Sequence, residues 1–103
     1  MDLVEQVYIL IRKLPKEEIY ALSSQIRRSA VSIPSNIAEG QKRKSSKEFS
    51  NFLSVSKGSN AELQTQLMIC NRLNYLTKEE TEPVINLTVE IDKMLEKLIH
   101  TLQ

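Results

Sequence analysis

The sequence predicts an all-α fold: an antiparallel up-down-up-down four-helix bundle whose second helix is kinked at a proline. Three observations carry this. Four segments repeat apolar residues at three- and four-residue spacing, the period of an α-helix. Only two glycines and three prolines occur in 103 residues, too few for the turns of an all-β chain. The breaks between segments are short, which favours antiparallel neighbours. A chain of this length makes one domain, residues 1–103, around a single core.

In the first segment Val4, Val7, Ile11 and Leu14 form a stripe that Leu3 and Leu10 widen. Pro15 stops it, and "PKEE" opens the second helix with proline and acids in the first turn, where missing donors and negative charge are tolerated. Ile19, Leu22, Ile26, Ala30, Ile33 and Ile37 share one face of that helix. Pro34 lies inside it, removing one backbone donor and crowding the carbonyl of Ala30, so a kink over residues 30–34 is expected. Gly40 suits the helix end. Ser45 and Glu48 have capping-box spacing for the third helix, whose core side carries Phe49, Phe52, Leu53, Leu63, Leu67, Cys70 and Leu73. Ser56, Gly58 and Ser59 thin its middle and would let another backbone approach. The fourth helix opens at Thr77 with Glu80 three residues on, and continues through Val84, Leu87, Ile91, Met94, Leu95, Leu98 and Leu102.

Charged residues are 26% and hydrophobic ones 41%, an ordinary composition for a soluble chain. A single cysteine at an apolar position, Cys70, points to a reducing, cytoplasmic setting. The acidic start lacks a secretory signal's pattern, and no uncharged run approaches the roughly 20 residues that span a bilayer. The net charge of +1 conceals an asymmetry, with +4 in residues 1–57 and −3 in residues 58–103. One surface can therefore bind anions although the chain as a whole is not basic.

Two features carry functional expectations. Beside the apolar face of helix two runs a polar stripe, Gln25, Ser29, Ser32, Asn36 and Glu39, with a counterpart in Ser59, Glu62 and Gln66 on helix three. Lysine and glutamate would dominate an ordinary solvated face. Serine and amides favour a hydrogen-bonded seam between helices or subunits instead. After Gly40, Lys42, Arg43, Lys44 and Lys47 place four positive charges within six residues and no acid among them. Arg27, with Arg12, Lys13 and Lys16, adds to the positive side. No aromatic residue is interleaved, so binding through this cluster is expected at nucleic-acid backbone rather than bases.

The stretches "LPKEEIYALSSQIRRSAVSIPSNIAEG", "KEFSNFLSVSKGSNAELQTQL" and "LNYL" resemble the four-helix-bundle proteins encoded in intervening sequences of bacterial 23S rRNA genes. That family is often labelled an S23 ribosomal protein family, and it includes accessory proteins of diversity-generating retroelements. The resemblance covers nearly the whole chain. It implies a homopentamer with a basic surface, and its retroelement branch implies binding to nucleic acid and a reverse transcriptase. Arg28, Asn36, Glu39, Glu62 and Gln66 match the family blocks and read as structural; a buried Arg–Glu pair is costly to break on one side only. Family members begin with a further stretch, often containing tryptophan, and contacts made by that stretch are not carried over.

Catalysis is not expected. Glu39 and Glu62 could be paired carboxylates as in di-iron bundles, but those sites need Glu-x-x-His on facing helices, and the only histidine is His100. Glu96 and His100 are spaced for a shared metal, yet a terminal exposed histidine is the better reading, so no metal or cofactor is assigned. Bundle ribonucleases of the HEPN class need an arginine shortly before the histidine, and the nearest one before His100 is Arg72. No phosphate-cradling glycine loop exists. The expected function is a non-enzymatic oligomeric accessory protein binding RNA or DNA backbone. The alternative is a scaffold ring that docks a partner enzyme without nucleic acid.

Overall fold

The apolar repeats fold into a four-helix bundle, seen in a computed structural model that describes residues 2–103. The elements are α1 (Asp2–Ile11), a single 3-10 turn (Lys16–Glu18), α2 (Leu22–Gln41), α3 (Ser46–Arg72) and α4 (Lys78–Thr101). The chain is 82% helical, with no strand among the described residues. α1 packs between α2 and α4, and α3 packs against α2 and α4 from the opposite side. Contacts climb α2 as they descend α3: Ser32 meets Ser59, Ile33 meets Ser56, and Gly40 meets Phe52 and Phe49. They descend α3 in the same way as α4 climbs, from Asn71 with Thr81 to Gln64 with Thr88 and Lys57 with Asp92.

Local signals set the ends of the two longest helices. Thr77 accepts from the Glu80 amide at 3.1 Å while its own amide donates to Glu80 Oε1 at 2.9 Å, a complete capping box. Ser45 accepts from the Glu48 amide at 3.1 Å. The α3–α4 connection reverses at Asn74, whose φ is 62°, a left-handed conformation asparagine tolerates better than most residues.

The core is one cluster running from Leu3, Val7, Leu10 and Ile11 through Ile26, Ala30 and Ile33 to Leu63, Leu67, Cys70 and Val84. Each such leucine or isoleucine stabilises the fold by about 1.5–3 kcal/mol on burial. A net hydrogen bond contributes about 1 kcal/mol. Packing therefore holds the bundle, and the buried polar contacts orient its helices.

Several residues depart from the expected stripes. α2 begins at Leu22 rather than at "PKEE", and Ile19 is 46% exposed rather than on its apolar face. The 3-10 turn explains the delay. It places Glu18 so that Oε2 accepts from the Tyr75 hydroxyl at 2.7 Å, and the backbone at Ala21 then breaks helical geometry before α2 starts. Leu73 and Met94, expected in the core, are more than half exposed. Their places are taken by Leu76 and by the α4 line Thr81, Val84, Thr88 and Leu95. The two threonines enter the core because their hydroxyls are satisfied. Thr88 donates to the Ile85 carbonyl at 2.6 Å and accepts from Gln64, while Thr81 shares hydrogen bonds with Asn71.

Gly40 differs from its expected role as a helix end. Gly40 lies inside α2 without positive φ, buried against Phe49 and Phe52, so its role is close approach rather than a left-handed cap. Gly58 faces open space within the chain. α2 continues past Pro34, and two side chains donate to carbonyls just before it: Ser56 to Ile33 at 2.8 Å, and Asn36 to Ser32 at 2.8 Å. Pro34→Ala is expected to straighten the axis through residues 30–34 with little change in helix content. Crystal structures showing the same axis in wild type and variant, or far-UV dichroism showing a large drop in helix, contradict this.

Candidate functional site

Four residues, Lys42–Ser45, connect α2 to α3, and they are exposed, as is Lys47 in the first turn of α3. The turn is tied to the end of α2 by the Lys42 and Arg43 amides, which donate to the carbonyls of Glu39 and Gly40 at 3.2 and 3.1 Å. Arg43 folds back. Its guanidinium lies 4.9 Å from the centroid of the Phe52 ring and 3.5 Å from Glu39 Oε2. Phe52 is an addition to the cluster that sequence reasoning misses; nothing in the local spacing announces a contact across the turn. Lys42, Lys44 and Lys47 form no ion pair among the described residues. Their side chains face solvent.

Arg27 does not join them. It precedes Lys42 by four turns of α2, about 22 Å along the axis. It borders Tyr8, Arg12, Ile19 and Ser23 on one side and the groove between α2 and α3 on the other. Lys13 is bound to Glu80 at 2.7 Å, which holds the Glu80 carboxyl below its usual range. The positive residues are thus split between two regions of the bundle rather than merged on one side.

Gln25, Ser29 and Ser32 of the polar stripe, with Ser59, Glu62 and Gln66, line a groove of about 740 Å³ between α2 and α3. At its floor Ser32 and Ser59 share a hydroxyl hydrogen bond of 2.8 Å, and Asn36 Nδ2 donates to Ser32 Oγ at 2.9 Å. Gln66 is 9% exposed, and its Oε1 is buried with no hydrogen-bond donor. Gln25 and Arg28 line the α2 wall and Glu62 the α3 wall, all exposed. The expected buried Arg–Glu pair is absent within the described residues. Arg28 and Glu62 reach into solvent without an ion pair, and Glu39 pairs with Arg43. Val31, which polar patterning does not single out, adds an exposed apolar patch to the same wall.

The bundle has counterparts among known proteins. The sequence profile of a family described as 23S rRNA-intervening sequence protein matches residues 1–97. The chain belongs to that family. Among solved structures it is similar to a protein of unknown function from the S23 ribosomal protein family of Bacteroides thetaiotaomicron. The two share 29% identity with a TM-score of 0.87, over 95% of this chain and 92% of the other. No curated protein matches the sequence.

In this intervening-sequence family member, none of the catalytic or metal-binding groupings considered from the sequence is assembled among the described residues. The α2–α3 register puts Glu39 opposite the start of α3 and Glu62 opposite Ser29, so the two carboxylates are separated by several turns. No group of three His, Cys, Asp or Glu residues among those described is placed to hold a metal ion. Glu96 pairs with Lys57 at 3.1 Å, and His100 is exposed. Burial, with a smaller push from Glu18, raises the Cys70 thiol to about 11, so it is protonated at neutral pH and a poor nucleophile. No helix among the described residues is long and apolar enough to cross a membrane.

Proposed function

We propose that this 23S rRNA-intervening sequence family member is a non-enzymatic, oligomeric accessory protein that binds the backbone of RNA or DNA through the loop after α2. The observation that carries the reading is the exposure of Lys42, Lys44 and Lys47 without ion-pair partners among the described residues, while the nearest α2 acid, Glu39, is engaged by Arg43. The binding is electrostatic: no exposed aromatic ring stands beside the lysines to stack a base, since Phe52 is half-buried beneath Arg43. A ring of copies, five on the family resemblance, repeats the loop around its axis and converts a weak cluster into a multivalent surface. The free, buried Cys70 fits a cytoplasmic setting.

The test is a mobility shift with duplex RNA and DNA across a salt series. With about three phosphates neutralised per loop, log affinity falls against log salt with a slope of roughly −3 for each engaged loop. Absence of a shift at low salt removes the reading. A specific feature then favours the scaffold alternative, in which a ring docks a partner enzyme: Val55, Ile69 and Leu73 leave an exposed apolar strip along α3. Docking on that strip is nearly insensitive to salt.

A further inference from the structure

The groove between α2 and α3 is unfinished in the single chain. Its α2 wall is positive at Arg28, its α3 wall is negative at Glu62, and neither side chain has an ion-pair partner among the described residues. Between the walls the Gln66 amide is nine-tenths buried, with Oε1 unsatisfied. A buried acceptor with no donor is unfavourable, so the site favours an arriving hydrogen-bond donor. Beyond the α3 wall, Val55 and Ile69 are exposed, and the space above Gly58 is empty. That surface is suited to an approaching helix.

We infer that a second copy of this chain closes the groove, with Arg28 of one copy paired to Glu62 of the next and its guanidinium supplying the donor that Gln66 lacks. The arginine fork has five donors, enough to serve a carboxylate and an amide oxygen together. Charge complementarity selects this occupant. Glu62 opposes a phosphate backbone, whereas the positive α2 wall of one copy matches the negative and apolar α3 wall of another. When the α2 wall of each copy meets the α3 wall of the next in one direction, the contact is heterologous and can close into a ring. The inference rests on the oligomeric reading above and assigns the face and the residues through which copies meet.

Sedimentation velocity on wild type, Arg28→Glu, Glu62→Arg and the double reversal tests it, with Lys93→Glu on the exposed surface of α4 as control. Each single reversal is expected to weaken association about ten-fold or more. The double reversal restores it, and the control leaves it unchanged. Far-UV dichroism should match wild type throughout, since the reversed residues are exposed in the monomer. A wild-type monomer at micromolar concentration overturns the oligomeric reading and this inference with it. An assembled wild type whose single reversals associate equally well overturns only the pairing, as does a double reversal that fails to recover.

Discussion

Replacing Lys42, Arg43 and Lys44 together with glutamate is expected to abolish nucleic-acid binding while the helices and the assembly persist. The three residues lie in the exposed turn after α2 and bury nothing of the core, so their reversal changes the sign of the loop without opening the bundle. Backbone binding depends on neutralising phosphates, and each phosphate left without its cation lowers the salt slope by about one unit. Arg43 complicates the variant. Its contact with the Phe52 ring stabilises by about 0.5–1 kcal/mol at an exposed site. The double variant Lys42→Glu/Lys44→Glu keeps that contact, so comparing the two separates the effect of charge from that of packing. A triple variant that shifts RNA and DNA as wild type does removes the loop from the proposed function.

Gly40→Ala is expected to destabilise the protein by about 1–2 kcal/mol, although alanine is the better helix former by about 1 kcal/mol. The added Cβ falls 2.8 Å from Phe49 Cδ1 and 2.8 Å from Phe52 Cβ. A ring edge can rotate away. Phe52 Cβ cannot, because it is fixed to the backbone, so α2 and α3 must separate where they pack closely. That separation also shifts Phe52 beneath Arg43 and so disturbs the loop. Denaturation at fixed protein concentration measures the effect. Gly40→Asn separates steric crowding from a left-handed cap: asparagine tolerates the cap but is larger than alanine. A less stable asparagine variant supports close approach; a more stable one, or a neutral alanine variant, contradicts it.

Much of the candidate site is legible in the sequence as composition. The basic residues after Gly40 and the small polar stripe of α2 stand out without coordinates; the basic residues are exposed, and Gln25, Ser29 and Ser32 of the stripe line the groove. Their partnerships are not legible. Residue pattern groups Glu39 with Arg28 and Glu62 in one seam, yet Glu39 pairs with Arg43 one helical turn away. Charge alone groups Arg27 with the loop, yet it stands far from it along α2. Charge type is written in the residue; which opposite charge it meets depends on helix ends and rotations.

Features local to a turn or two of helix follow from the chain's residues alone. The four helices follow from apolar period, and the starts of α3 and α4 follow from Ser45 with Glu48 and Thr77 with Glu80, because caps act over three residues. Which side chains meet between helices is settled in three dimensions. Ser32 finds Ser59 across 27 residues, and Asn60 finds the Thr88 carbonyl across 28, because rotation and register between helices bring them together. The same geometry admits Thr81 and Thr88 to the core, expels Leu73 and Met94, and presses Gly40 against Phe52. A hydrophobic stripe gives a helix its buried side to within a broad sector; the neighbouring helix selects which residues within that sector are covered.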